Sequence, residues 1–184
     1  MRLPADAVLL IIDAQEAIEG SRQGAGACPE VETTIAALIA AWRTEGLPLA
    51  LVGRQPFAPA IPPLDGEIVI VRNATSAFVG ADLEARLDEL GATTLVLCGA
   101  LAGPGLEATA RHAADLGYQV FVVADACRAA DTIDLSGRVW PAEDVRALAL
   151  ARLRGETATI VDVATTLRAA ATAKARQRRA SGRA

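Results

Sequence analysis

Six short apolar runs, separated by helical patterns, restrict the folds open to this sequence more than any other feature. The runs occupy 7–12, 49–53, 67–71, 94–99, 119–125 and 157–163. Each run is apolar on both alternating faces, as parallel strands that are covered by helices on both sides must be. The pattern therefore predicts the strands of one largely parallel sheet.

Helix signals occupy the segments between these runs. Proline near the start and glycine near the end bracket 29–46 and 141–155, glycine ends 81–91, and a further helix opens at 104–106. The resulting order, β-α-β-β-α-β-α-β-α-β-α, predicts a single-domain, three-layer α/β/α fold around a six-stranded, mainly parallel sheet. Ligands of such folds bind beyond the carboxyl ends of the strands.

Charge is distributed unevenly along the chain. The net charge of −4 includes a segment, 168–184, with six basic residues and no acidic one. The remainder, 1–167, has 12 basic and 22 acidic residues, a net charge of −10. An acidic body argues against nucleic-acid binding, which needs clustered lysine and arginine. We expect one domain over 1–167, followed by a basic, flexible C-terminal tail over 168–184.

The cysteines and the first apolar run indicate the compartment. Cys28, Cys98 and Cys127 are far apart and lack C-x-x-C spacing, so they form neither a disulfide framework nor a zinc site. The first run ends at Asp13 and is too short for a signal peptide. No stretch reaches the roughly 18 to 20 apolar residues of a membrane span. We therefore expect a cytoplasmic protein that has no contact with a membrane.

Two charged residues follow predicted strands at the edge where a ligand should bind. Asp13 ends the first run, and burial at such a junction favours a protonated carboxyl, the usual preparation for acid or base chemistry. An aspartate that caps a helix or forms a turn explains the position equally well. Arg72 follows the third run, where its guanidinium could pair with Asp13, bind a substrate carboxylate or lie on the surface.

Nucleophiles of the usual kinds have no evident partner. Ser76 needs a nearby base, and the single histidine, His112, lies about two turns beyond the start of its helix, so a Ser-His-Asp triad is not favoured. Cys127 is the better thiol candidate because it ends a strand, whereas Cys98 fits a buried core and Cys28 precedes a helix. For each cysteine we favour the structural interpretation.

The glycine-rich segment 99–105, "GALAGPG", precedes a helix and could bind an anion through backbone N–H groups. It lacks the G-K-[ST] of a P-loop, and no G-x-G-x-x-G follows the first strand. One histidine cannot supply the usual imidazole ligands of a metal. We expect neither a cofactor nor a metal.

Three segments carry a distinctive combination of motifs: "LLIIDAQ" (9–15), "VRNATSAFVGADLEARLDELGATTLVLCG" (71–99) and "GLEATARHAADLGYQVFVVADAC" (105–127). Together they resemble the isochorismatase-like hydrolase family, often called cysteine hydrolases. The resemblance covers most of 7–165. It implies the α/β fold with a six-stranded, mainly parallel sheet, a small-molecule substrate and a homo-oligomer.

Most members of that family hydrolyse amides with an Asp, Lys, Cys triad. The resemblance assigns Asp13 to the aspartate position, but Arg72 occupies the lysine position and Gly105 the cysteine position. The only lysine, Lys174, lies in the C-terminal segment. Covalent thiolate chemistry of the family type is therefore not available to this chain.

Glycine at the cysteine position has two interpretations. The family's isochorismatases, which cleave a vinyl ether, also have glycine there, so Gly105 favours a hydrolase of a small anionic substrate with Asp13 as general acid. That branch keeps the lysine, however, and Arg72 close to Asp13 would favour an ionised carboxylate, which opposes the acid role. The alternative is a catalytically inactive member that acts as a small-molecule binder or scaffold. A third possibility is an amidase with a displaced thiol, Cys127.

The enzyme interpretation assigns a role to each residue of the site. Asp13 is the general acid, and Arg72 orients the anionic substrate. Backbone N–H groups around Ala100, Leu101 and Gly105 stabilise oxygen charge. We also expect the substrate to contact four residues: Gln15, Phe78, Ala100 and Leu101.

Overall fold

A computed structural model describes residues 1–14, 29–53, 61–101 and 104–181 of the chain. The strands in these ranges are β1 (Val8–Ile12), β2 (Leu49–Gly53), β3 (Ile68–Val71), β4 (Thr94–Ala100), β5 (Gln119–Arg128), β6 (Thr132–Ile133), β7 (Val139–Trp140) and β8 (Thr159–Val161). The helices are α1 (Pro29–Glu45), α2 (Leu83–Glu89), α3 (Gly105–Asp115), α4 (Ala142–Leu153) and α5 (Val163–Ser181).

Six of the described strands form one sheet in the order β3-β2-β1-β4-β5-β8, and every neighbouring pair is parallel. The predicted α/β fold with a six-stranded sheet is thereby confirmed. The central strands β1 and β4 end side by side, with Ile12 opposite Gly99. The residues that follow them therefore meet at the carboxyl edge in the middle of the sheet, where a ligand site is expected.

Apolar side chains cover both faces of the sheet. Helices α1 and α5 pack on one face, where Trp42 is fully buried and its Nε1 donates a hydrogen bond to the Ala7 carbonyl at 3.2 Å. Helices α2, α3 and α4 pack on the other face through residues such as Leu87, Leu106 and Leu153. Each buried leucine of this kind stabilises the fold by roughly 1.5–3 kcal/mol.

Gly99 lets the two central strands approach closely at the carboxyl edge. Its φ is +126°, and a Cβ there would lie 1.9 Å from the Ile12 carbonyl oxygen. The pairing of β4 with β5 shifts register between Leu97 and Gly99, so that Gly99 lies opposite Cys127. Only glycine fits this position, because it lacks the Cβ that would collide with the neighbouring backbone.

Strand β5 and the segment after it differ from the sequence prediction. The strand continues to Arg128 instead of ending at 125, because the register shift lets its last residues keep pairing with β4. It is followed by an antiparallel hairpin of β6 and β7 that the apolar runs did not predict. Strands of two residues are too short to produce a periodic signal. Strand β8 spans 159–161, less than the predicted 157–163.

Helix α5 corrects the expected start of the C-terminal tail. The boundary at 167 falls inside this helix, which buries Ala169, Ala170 and Ala173 on the α1 side of the sheet. The packed body therefore extends at least to Ala173, and a flexible basic tail beyond that point stays a prediction. Among the helices in the described ranges, α5 included, none is long and apolar enough to cross a bilayer.

Candidate functional site

Asp13 lies at the carboxyl end of β1 and is almost completely buried. Its N–H continues the sheet by donating to the Val52 carbonyl at 2.8 Å. Its φ of +52° is the left-handed value that non-glycine residues adopt uncommonly, although aspartate tolerates it better than most. The chain therefore turns at Asp13 and sends the carboxylate away from the straight path of the strand.

Arg72 meets this carboxylate from the end of β3. Its N–H donates to the Gly53 carbonyl at 3.0 Å, which holds its backbone on the sheet edge. The side chain is 7% exposed; Nε donates to Asp13 Oδ1 at 2.9 Å and Nη2 donates to Asp13 Oδ2. The other edge of the guanidinium is used too, since Nη1 donates to the Ala74 carbonyl at 2.9 Å. This two-pronged, charge-assisted pair is the strongest polar contact of the site.

Gly105 begins helix α3 directly against this ion pair. A Cβ at this position would lie 2.7 Å from Asp13 Oδ2 and 3.0 Å from Arg72 Nη2. The ion pair thus occupies the space that a side chain at 105 would need.

The segment after Arg72 is bound to α3 by two polar contacts. Thr109 Oγ1 accepts a hydrogen bond from the Ala77 N–H at 3.0 Å, and Ser76 Oγ lies 3.1 Å from His112 Nδ1. The structure thus brings His112, about two turns beyond the start of the helix, within hydrogen-bond distance of Ser76. Residues 105, 109 and 112 share one face of a helix, and this spacing was the available signal.

Two of the predicted thiol sites lie in the described part of the chain, and both are buried. Cys98 is fully buried, and this burial raises the pKa of its thiol. Burial also raises the pKa of Cys127 to about 12, despite the hydrogen bond from Gly99. Cys127 therefore lies in the core, in agreement with the structural interpretation, and at neutral pH it is a protonated thiol. Cys28 lies outside the described residues.

The four expected substrate contacts are placed as follows. Phe78 is buried in the core, with its ring 5.2 Å from the His112 ring and 6.1 Å from the Tyr118 ring. Ala100 and Leu101 are buried as well, and the Leu101 N–H donates to the Arg128 carbonyl instead of facing an open site. Gln15 lies outside the described residues.

Within the described ranges, no group of three or more histidine, cysteine, aspartate or glutamate side chains is arranged to hold a metal ion. The chemistry of the described site consists of one carboxylate, one guanidinium and the backbone around them.

Comparison with known proteins agrees with this architecture. A sequence model of the Isochorismatase domain matches residues 7–165. The chain belongs to the isochorismatase family. The resemblance noted in the sequence is thus confirmed, and the family is hydrolase-like.

Individual family members are similar over different lengths. The uncharacterized isochorismatase family protein YddQ of Bacillus subtilis is 38% identical over 101 residues, which are 55% of this chain and 56% of YddQ. The chain thus spans little more than half the length of that relative. The uncharacterized isochorismatase family protein YecD of Escherichia coli O157:H7 is 34% identical over 149 residues, which are 66% of this chain and 79% of YecD.

One solved structure extends the similarity to nearly the whole chain. A protein of Chromobacterium violaceum that is assigned to the isochorismatase family of hydrolases superposes with a TM-score of 0.84 and 34% identity. The superposition covers 94% of this chain and 97% of that one. The fold described above is therefore shared with that protein over nearly the whole of both chains.

Proposed function

We propose that this isochorismatase-family protein binds a small molecule at the carboxyl edge of its sheet without covalent chemistry and without turnover. One observation carries the proposal: Asp13 and Arg72 form a buried, two-pronged ion pair in the space beside Gly105. By the family resemblance, positions 13 and 72 are those of the catalytic aspartate and lysine, which a hydrolase needs free to act on its substrate.

The ion pair occupies both oxygens of the Asp13 carboxylate. Each oxygen accepts a hydrogen bond from Arg72, one from Nε and one from Nη2. A general acid must reach the substrate with one of its oxygens in order to donate a proton in the transition state. With both oxygens bound to Arg72, Asp13 does not meet this requirement.

The same geometry removes the nucleophile. Gly105 has no side chain, and a Cβ added there would lie 2.7 Å from Asp13 Oδ2 and 3.0 Å from Arg72 Nη2, so any side chain at 105 would have to displace the ion pair. Cys127, the thiol of the amidase alternative, is buried with a pKa of about 12, and a thiol reacts as its thiolate. The amidase hypothesis therefore has the least support.

Binding itself is supported by the location. The carboxyl edge beside the middle strands is where ligands of open α/β sheets bind. A buried ion pair is expensive to desolvate, so a pair at this edge is better explained by a polar ligand than by stability alone. We expect a small molecule with polar groups that match the remaining N–H groups of Arg72.

A second candidate function is vinyl ether hydrolysis with Asp13 as general acid and Arg72 as the residue that orients an anionic substrate. The observation that favours it is the backbone of Asp13: an uncommon left-handed conformation at a buried carboxylate is typical of functional sites. This candidate requires the substrate to draw Arg72 away from Asp13 so that the carboxyl can take up a proton.

Turnover and binding separate the two candidates. The wild type and Asp13→Asn are incubated with isochorismate and with benzamide, and products are measured by mass spectrometry. Thermal shifts are recorded with the same compounds and with benzoate, since a ligand that binds the native state stabilises it by RT ln(1 + [L]/Kd). We expect stabilisation without product. Turnover by the wild type that Asp13→Asn lacks would overturn the proposal and establish the second candidate.

We also propose that the protein is a homo-oligomer in the cytoplasm. The family resemblance supports the assembly, and the free, buried thiols of Cys98 and Cys127 fit a reducing compartment. Light scattering coupled to size-exclusion chromatography measures the assembly directly, and a mass near 19 kDa would contradict it.

A further inference from the structure

One face of helix α3 holds the whole segment that follows Arg72. Gly105 lies against the Arg72 guanidinium, Thr109 binds the Ala77 N–H, and His112 binds Ser76. The spacing of four and then three residues places all three positions on one side of the helix. The candidate site around Asp13 and Arg72 thus extends two turns along α3, to His112, the single histidine of the chain.

The Ser76–His112 contact is a tether and not a nucleophile with its base. Ser76 is 7% exposed, and its Oγ already accepts a hydrogen bond from the Phe78 N–H at 3.3 Å. The Ala77 N–H, another amide that could stabilise an oxyanion beside Ser76, donates to Thr109. Attack by Ser76 would therefore lack the N–H donors that acyl transfer requires.

The Ser76–His112 contact is connected to the Asp13–Arg72 ion pair through a short stretch of backbone. Ser76 is two residues beyond Ala74, whose carbonyl accepts from Nη1 of Arg72 at 2.9 Å. That contact fixes one edge of the guanidinium, and the opposite edge then faces Asp13 with Nε and Nη2. A planar guanidinium that is held at one edge keeps its orientation at the other.

We propose that His112 is a positioning residue of the site. Through Ser76 it holds segment 73–79 on α3, and the Ala74 carbonyl in that segment then holds Arg72 against Asp13. This role rests on the proposed function, because the ion pair that it serves is the centre of the proposed binding site.

The test measures how fast the Nε–H protons of Arg72 and Arg43 exchange with water, by NMR. Arg43 is an internal control, since its Nε donates to Glu67 at 2.7 Å in a separate ion pair that shares no residue with the candidate site. The first variant, His112→Phe, keeps an aromatic ring against Phe78 and removes Nδ1. The second, His112→Asn, keeps a polar group near the position of Nδ1.

We expect His112→Phe to speed exchange at Arg72 by roughly three- to tenfold, the effect of losing one hydrogen bond. Exchange at Arg43 should not change, and His112→Asn should return Arg72 close to the wild-type rate. Equal acceleration at both arginines means a general loss of stability and overturns the inference, as does an unchanged rate at Arg72. Product formation from isochorismate would overturn the proposed function alone, because it does not alter these exchange rates.

Discussion

The Asp13 carboxylate and the Arg72 guanidinium are bound to each other through two parallel hydrogen bonds, although 59 residues separate them in the sequence. Each side chain is more than nine-tenths buried. The strands β1 and β3 that end at these residues are not neighbours in the sheet; β2 lies between them. The arginine therefore reaches over the end of β2 to meet the aspartate, and the pair closes the middle of the carboxyl edge.

Removing both partners of this pair should destabilise the protein by less than the sum of the two single removals. Asp13→Asn and Arg72→Met each leave a buried group unpaired, a cost of about 3–5 kcal/mol. Asparagine is the suitable replacement at 13 because it tolerates the left-handed backbone. Urea unfolding of both single variants and the double variant measures the coupling. We expect the double variant to lose less than the summed losses of the singles; additive losses would mean that the pair does not interact in solution.

The buried thiols should be unreactive in the folded protein. A Cys28→Ser background removes the cysteine outside the described residues. Because burial raises the pKa of Cys98 and sets that of Cys127 at about 12, almost no thiolate exists at pH 8. We expect Ellman's reagent to label neither residue until urea unfolds the chain. Labelling of Cys127 in the native protein, located by peptide mass spectrometry, would revive the amidase hypothesis.

The sheet could be predicted because its strands are apolar on both faces. The apolar runs place Asp13 and Arg72 at the ends of two strands, and parallel strands end at the same edge of the sheet. An ion pair between the two residues was therefore one of the alternatives that the sequence allowed. The collision at Gly105 was not predictable. It depends on the distance between a helix start and two side chains from other elements, to within a few tenths of an ångström.

Other features were missed because local signals were weak or conflicting. His112 lies two turns from Gly105 along the chain, and only the helical face that the two residues share reveals that they are close to the same segment. The tail prediction followed the charges of 168–184 and overlooked the alanines at 169, 170 and 173, whose spacing predicts a buried helical stripe. The turn of the β6–β7 hairpin is held by hydrogen bonds to the Asp134 carboxylate, and hydrophobic periodicity in the sequence does not reveal such bonds.

Asp134 should stay ionised to unusually low pH. Hydrogen bonds from the Ser136 hydroxyl and from the Trp140 indole lower the pKa of Asp134 from 3.8 to about 2. A lowered folded-state pKa means that its contribution to the hairpin is complete above pH 3.8 and is lost as the pH falls towards 2. The indole N–H resonance of Trp140 should therefore stay constant from pH 7 to pH 4, with buried Trp42 as the reference. A midpoint near 4 at Trp140 alone would show that the turn is not formed.

Gly105→Ala should destabilise the protein, although alanine normally stabilises a helix relative to glycine by roughly 0.5–1 kcal/mol. The added Cβ would lie 2.7 Å from Asp13 Oδ2 and 3.0 Å from Arg72 Nη2, so the ion pair must move. Overpacking of this kind costs about 1–3 kcal/mol. Asp13→Gly provides the matched background, since glycine tolerates the left-handed backbone at 13: with the carboxylate gone, the same substitution at 105 should cost less, as measured by urea unfolding. Gly105→Cys should likewise not convert the protein into an amide hydrolase, because the added thiol would have to displace the Asp13–Arg72 ion pair. An equal cost of Gly105→Ala in both backgrounds, or a gain in stability in the wild type, would show that the space beside Gly105 is open.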